Sequence, residues 1–256
     1  MKHFSFILTI LGVLETISTL IPQTHGESDV TPREDFHRRS SRVMNRNYGT
    51  NNTEHTSTKI THAVDAEYND DAAGAVLVSS GCKYITGTFT VPSPGNVTLP
   101  TAAAIGIWIG LDGYTSEDSI LQTGLEIDYG DGEVSFEAWY EWYPNYAYDF
   151  SGFEVDSGNT IRLTLTATST TSGTALVENL TTGQSVSHTF TGEEALEEVN
   201  AEWIVQLYDA ESLGGITGIT FEDASAACGK PSSATKIVPS WATVTTTSNS
   251  VIIKVT

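Results

Sequence analysis

From about residue 60 to the carboxyl end, apolar and polar positions tend to alternate. Ile161-Arg-Leu-Thr-Leu-Thr-Ala167 places an apolar side chain at every second position, the period of a strand with one face in a core and one in water. Thr174-Ala-Leu-Val-Glu-Asn-Leu180 and Gln184-Ser-Val-Ser-His-Thr-Phe190 flank Thr181-Thr-Gly183. Two such runs across a short glycine-containing turn predict a hairpin. Val251-Ile-Ile-Lys-Val255 predicts a last strand, and Asp112-Gly113, Asp131-Gly132 and Ser157-Gly158 predict turns. Helical periodicity is almost absent. The one segment able to start a helix, Gly192-Glu-Glu-Ala-Leu-Glu-Glu198, reads as a loop or short turn. Many short strands with abundant Ser and Thr predict an all-β fold, an antiparallel two-sheet β-sandwich.

The first 60 residues have a different pattern. Residues 1–26 open with Lys2, run apolar from Phe4 to Val13 and turn polar from Glu15. That run is too short for a bilayer span, and its order is that of a secretory signal peptide ending near Gly26. Residues 27–60 are polar and poor in large apolar side chains, so they cannot build a core. They read as a largely disordered linker or, more sharply, as a basic propeptide. The domain proper is expected over 61–256. Secretion makes the sequons at Asn51, Asn96 and Asn179 candidates for glycosylation. The two cysteines, Cys82 and Cys228, can pair across a long loop or remain two buried thiols.

Charge sharpens the contrast. The chain carries 12 Lys and Arg against 32 Asp and Glu, a net −20. Residues 36–59 hold five bases and one acid, whereas residues 60–256 hold five bases and 26 acids. The two parts attract at neutral pH, and acidification weakens that attraction by neutralising carboxylates. This predicts a zymogen released at low pH, with its own propeptide as a partner. The acidity argues against nucleic acid or an anionic membrane surface as partner. A stability better at pH 3–5 than at pH 7–8 is also expected, because few carboxylates can be held in ion pairs that acid would break.

The available chemistry narrows by elimination. After residue 60 only His62 and His188 remain, and His188 reads as a structural or surface residue in mid-strand. There is no Gly-x-Ser-x-Gly, no HExxH, no glycine-rich phosphate loop and no zinc ligand set. Catalysis, if present, runs on carboxylates, amides and hydroxyls, and no cofactor is expected. Asp156-Ser-Gly158 matches half of the paired motif of pepsin-like peptidases, but one copy is a turn former before it is a catalyst. Phe136-Glu-Ala-Trp-Tyr-Glu-Trp-Tyr143 puts Glu137 and Glu141 on one strand face beside aromatic rings. Residues i and i+4 of a strand lie roughly 13 Å apart, beyond the ~5–9.5 Å of paired glycosidase carboxylates.

Five blocks then point to one family. Trp108-Ile-Gly-Leu-Asp-Gly113, Ile120-Leu-Gln-Thr-Gly124, Ala138-Trp-Tyr-Glu-Trp-Tyr-Pro144, Val177-Glu-Asn-Leu-Thr-Thr-Gly-Gln184 and Asn200-Ala-Glu-Trp-Ile-Val205 together resemble the glutamic peptidases, or eqolisins, acid endopeptidases secreted mainly by fungi. The resemblance covers roughly residues 66–256. It implies a sandwich of the concanavalin A-like or jelly-roll type and a catalytic pair, Gln122 of the second block and Glu202 of the fifth. It also implies that Trp108, Asp112, Trp139 and Glu141 lie near that pair and serve substrate binding and its support. One position departs: Ala72 of Asn69-Asp-Asp-Ala-Ala-Gly-Ala75 stands where the family usually carries a Trp, which bears on the width of the cleft.

The pair makes chemical sense. A glutamate can activate water as general base, and a carboxamide can donate to the developing oxyanion without titrating in acid. The reading is a secreted, monomeric acid endopeptidase acting on proteins or peptides. Two others stand beside it: a non-catalytic or carbohydrate-binding sandwich, and a glycosidase using Glu137 or Glu141.

Overall fold

The computed structural model describes residues 71–93, 103–116, 118–130, 133–208 and 215–256. The signal peptide, the propeptide, Asn51, Asn96, His62 and the Asp131-Gly132 turn lie outside the described residues. Among the described residues fourteen strands follow one another. The first seven are β1 (Ala72–Val78), β2 (Tyr84–Thr90), β3 (Ala103–Leu111), β4 (Ile120–Gly130), β5 (Glu133–Tyr143), β6 (Tyr148–Asp149) and β7 (Thr160–Ser169). The rest are β8 (Ser172–Asn179), β9 (Gln184–Thr191), β10 (Asn200–Tyr208), β11 (Gly218–Ala226), β12 (Thr235–Ile237), β13 (Ala242–Thr246) and β14 (Val251–Val255). Among the described residues the helical content is a single 3-10 turn at Pro231–Ser233.

The strands form two seven-stranded antiparallel sheets, ordered β12-β1-β10-β3-β4-β5-β6 and β13-β14-β11-β2-β7-β8-β9. The period-two segments read from the sequence fall inside β7, β8, β9 and β14, and Gly192 to Glu198 is irregular. Alternation builds the core between the sheets. Ile105, Ile107, Ile109 and Leu111 of β3 face inward, as do Ile161, Leu163 and Leu165 of β7, and all are buried. Burying each such side chain contributes about 1.5–3 kcal/mol. The indole of Trp203 on β10 crosses this core and donates from Nε1 to the Thr86 carbonyl of β2 at 2.9 Å. That bond removes the one polar cost of burying the ring.

Cys82 and Cys228 are bonded, with Cα atoms 4.8 Å apart and 146 residues between them. Closing so long a loop removes roughly 5 kcal/mol of conformational entropy from the unfolded chain.

The Asn179 sequon is corrected by the structure. Asn179 is fully buried at the end of β8. Its Nδ2 donates to the Glu154 carbonyl at 3.1 Å and to Asn159 Oδ1 at 2.7 Å. Its Oδ1 accepts from the N–H groups of Thr181 and Thr182. This is an Asx turn that closes the β8–β9 hairpin, and a side chain so enclosed has no room for a glycan. Asp156-Ser-Gly158 is likewise a turn: Asn159 N–H donates to the Asp156 carbonyl, and Gly158 takes φ 85°.

Candidate active site

The first sheet carries polar groups on the face turned away from the second. Antiparallel register fixes which residues share a transverse row. Val76 pairs with Glu202, Glu202 with Gly110, Gly110 with Gln122, and Gln122 with Glu141. One row across β1, β10, β3, β4 and β5 thus reads Val76, Glu202, Gly110, Gln122, Glu141. The alternating core positions of each strand put all five on the outer face. Strands lie ~4.8 Å apart, so the Glu202 and Gln122 backbones stand roughly 9.6 Å apart with only Gly110 between them. Glycine leaves the space between the two side chains open.

The groups in this row are held from behind. Gln122 donates from Nε2 to Glu141 Oε2 at 2.5 Å, which fixes the amide's orientation. In the next row Trp108, Gly124 and Trp139 stand in register. The Trp108 ring donates from Nε1 to Gln206 Oε1 at 3.1 Å, and its other end leans over Gly110. A Cβ there would come 3.0 Å from Trp108 Cζ3. Trp108 therefore borders the gap between Glu202 and Gln122. With Trp139, Val76, Ile204, Ile237 and Ala72 it belongs to a second apolar cluster, separate from the core between the sheets. Ala72 pairs with Gln206, one row beyond Trp108.

Asp112 takes a supporting place near the pair. It sits at φ 63°, just past β3, and is fully buried. Its Oδ2 accepts from the Glu198 N–H at 2.8 Å, and its Oδ1 from the Val199 and Asn200 N–H groups at 2.7 and 3.1 Å. A carboxylate with three backbone donors is a clamp on the segment entering β10. Asn200 answers from the other side: its Oδ1 accepts from the Tyr114 and Thr115 N–H groups and from the Thr115 hydroxyl. The two side chains bolt the end of β3 to the start of β10, two residues before Glu202. Sequence reasoning passed over Gly110, Asn200 and Gln206. The first two lie inside quoted blocks, but their roles come from cross-strand register.

Glu202 differs from its neighbours. Its side chain is fully buried, and among the described residues neither carboxyl oxygen has a hydrogen-bond partner. Burial pushes its pKa well above the usual 4.5, and the negative charge of Asp112 pushes it further. A buried, unsatisfied carboxyl is costly, and such groups concentrate at functional sites. Among the described residues no group of three or more His, Cys, Asp and Glu side chains is placed to hold a metal ion. A glycosidase pair of Glu141 with Glu202 loses its geometry. Glu141 is engaged by Gln122, and three strand spacings, roughly 14 Å, separate its backbone from that of Glu202.

The Peptidase A4 family matches residues 70–256. Aspergillopepsin-2 of Aspergillus niger is 43% identical over 209 residues, covering 73% of each chain. Scytalidopepsin B of Scytalidium lignicola is 41% identical over 156 residues, 60% of this chain and 58% of that protein. Among solved structures, scytalido-glutamic peptidase with a transition state analog inhibitor superposes with a TM-score of 0.63 at 33% identity, over 73% of this chain and 98% of that one. Two antiparallel seven-stranded sheets, the row of Glu202, Gly110 and Gln122, and these likenesses lead to one conclusion: the chain belongs to the Peptidase A4 family, the eqolisins or glutamic peptidases.

Proposed function

We propose that the chain is a secreted acid endopeptidase in which Glu202 and Gln122 act on a water and a peptide carbonyl held between them. Membership of a family of glutamic peptidases supports proteolysis in general. The observation that carries the specific assignment is a buried carboxyl with both oxygens unpartnered, separated by a bare glycine from an oriented carboxamide.

Ionised Glu202 takes a proton from the water, whose oxygen attacks the carbonyl carbon. The Gln122 amide, its Nε2 anchored by Glu141, donates a hydrogen bond to the oxygen on which negative charge develops. The tetrahedral intermediate collapses as Glu202 returns its proton to the leaving nitrogen, and the C–N bond breaks. Trp108 and Trp139 flank the row and form apolar walls for substrate.

The raised pKa of Glu202 opposes ionisation in acid, yet its first cause is burial. Water entering with the substrate rehydrates the carboxyl and lowers its pKa, which reconciles a strong base with an acid working range. The basic segment 27–60 acts as a propeptide until acid weakens its attraction to the acidic domain, and the mature enzyme works outside the cell as a monomer. A pro-form that matures equally fast at pH 7 would argue against that part.

The test is cleavage of denatured haemoglobin or casein across about pH 3–6, comparing the processed wild type with Glu202→Gln, both shown to be folded. Pepstatin is present to silence pepsin-like contaminants. Activity in the wild type that vanishes in the variant supports the assignment. Activity surviving in both removes Glu202 from the mechanism.

A further inference from the structure

The open edge of the sandwich holds a concavity on the other face of β5 from Glu141. Here β6 ends one sheet and β9 ends the other. Between them lies a cleft of about 320 Å³ whose lining includes Trp142, Asn145, Tyr148, His188, Phe190 and Glu193. That volume falls near the lower end of the ~300–1,000 Å³ of small-ligand sites. The cleft is separate from the Glu202–Gln122 row, because Tyr140 and Trp142 point into the core between the sheets while Glu141 points outward.

The wall is aromatic and well braced. The His188 imidazole stacks on Tyr140 at 4.1 Å between centroids and 11° between planes. Phe190 meets His188 edge-on at 4.6 Å and Trp142 at 5.4 Å. Such contacts fix the rings without consuming polar atoms, and among the described residues neither ring nitrogen of His188 has a hydrogen-bond partner. At the mouth, Asn145 Nδ2 donates to Glu193 Oε2 at 2.6 Å. That leaves Asn145 Oδ1 and Glu193 Oε1 without a hydrogen-bond partner among the described residues. Tyr140, Trp142 and Phe190 are buried and back the wall, while the half-buried rings of Tyr148 and His188, below an amide–carboxylate pair, give both halves of a particular recognition chemistry. A ring with one C–H face and several hydroxyls can lie against the aromatics and exchange hydrogen bonds with the mouth.

The alternatives fit less well. None of the five bases after residue 60, Lys83, Arg162, Lys230, Lys236 and Lys254, lines the cleft, so an anionic ligand would meet Glu193 uncompensated. A purely apolar ligand would use none of the polar atoms gathered at the mouth. A quaternary cation could use the rings and Glu193, but it could not accept from or donate to Asn145 and His188.

We propose that this edge cleft binds a neutral sugar unit, so that the protein carries a glycan-binding site distinct from the Glu202–Gln122 row. A weak site of this kind would hold the protein on glycosylated proteins or polysaccharide while the other face acts on the polypeptide. The inference rests on the edge cleft alone and does not depend on the Glu202–Gln122 assignment.

The test is saturation-transfer NMR on the processed protein with methyl α-mannopyranoside, methyl β-glucopyranoside and N-acetylglucosamine as probes. Tetramethylammonium and a short tyrosine-containing peptide serve as controls. At least one sugar is expected to bind saturably and to shift the His188 ring protons, which are identified by their loss in His188→Ala. Asn145→Ala and Glu193→Gln change groups at the mouth, outside the core, and are expected to weaken binding about tenfold. Both are expected to cleave a small unglycosylated peptide at the wild-type rate. Glu202→Gln is expected to bind sugar as the wild type does, whether or not it is active. Four results would each overturn the proposal: no saturable binding by any of the three sugars, binding unchanged by Asn145→Ala and Glu193→Gln, binding lost in Glu202→Gln, or a response confined to the cation or the peptide.

Discussion

On β7 the residues turned away from the core are Thr160, Arg162, Thr164 and Thr166, and all of them meet water. On β10 the corresponding residues are Asn200, Glu202, Ile204 and Gln206, and all of them are buried. The two strands belong to different sheets of one sandwich and share one core. In β7 a polar residue on the outer face costs nothing, because water satisfies it. In β10 each polar residue needs a protein partner or a function. Asn200 and Gln206 have partners: one ties down Tyr114 and Thr115, the other accepts from Trp108. Glu202 has none. The difference identifies a reactive group more sharply than composition does, since the chain has 32 acids and burial with no partner singles out few of them.

After loss of the Glu202 carboxyl itself, the largest effect expected from disturbing this face comes from its smallest residue. Gly110→Ala would place a methyl group between Glu202 and Gln122, 3.0 Å from the Trp108 ring. A displacement of about 1 Å at such a site costs about 100-fold in rate. The variant is expected to lose activity on that scale while its melting temperature, followed by circular dichroism, falls by only a few degrees. Unaltered kcat/KM in the folded variant would mean that the space over Gly110 is not where the reaction takes place.

This contrast also explains what could be read from the sequence. The alternation of Ile161, Leu163 and Leu165 was legible because water covers one side of β7, so hydrophobicity reports which face is which. Asn200-Ala-Glu-Trp-Ile-Val205 has no such period, being buried on both faces. It was found only through resemblance to a family. Gln122 and Glu202 came from quoted blocks. The row that joins them, and the glycine between them, come from pairing register, which no local pattern encodes. The clamp role of Asp112 was hidden for a related reason: Asp-Gly reads as a turn, and a turn it is, but the carboxylate's three donors lie 86 to 88 residues away. Asn179 shows the converse error, since a three-residue sequon carries no information about burial.

Removing the charge from the first sheet should change stability in a pH-dependent way. Folding raises the pKa of Glu202, so the folded state holds that proton to a higher pH than the unfolded chain does. Its favourable contribution is complete below the ordinary value of 4.5 and is lost as pH rises through the folded value. Glutamine does not titrate and avoids this loss. Glu202→Gln is therefore expected to melt above the wild type at pH 7, the gap closing as pH falls below 4.5. Calorimetry of both proteins at the two pH values decides it: an equal gap at both would show that the carboxyl is not charged at cost in the folded state.

Asp112→Asn should act on the same group from a distance. The Asp112 charge is the second cause of the raised Glu202 pKa. Without that charge Glu202 ionises at lower pH, and the acid limb of the kcat/KM profile is expected to move toward acid. The maximal rate should fall too, because the amide clamps the segment before β10 less firmly. A lower rate with the acid limb unmoved would leave Asp112 as a clamp alone. A limb that moves toward neutrality would contradict the electrostatic account.

The smallest effect belongs to the other outer face, although its contact looks strong. Arg162 and Glu178 form a two-point pair, Nε to Oε2 at 2.6 Å and Nη2 to Oε1 at 2.7 Å. The hydrogen bond to Glu178 is the first cause holding the guanidinium pKa above its ordinary value. Yet the side chains are 42% and 23% exposed, so water and salt compete for both charges. Exposed pairs contribute only about 0.2–1 kcal/mol. Arg162→Ala is expected to lower stability within that range, by less in molar salt than in dilute buffer, and to leave peptide cleavage unchanged. A larger loss that ignored salt would mean that the stem of Arg162 packs on its threonine neighbours and that this face, too, is held by more than water. A loss of activity would link the two faces through the core. The expected result instead places the protein's consequential charge on the opposite sheet, in the Glu202 carboxyl, which has no partner among the described residues.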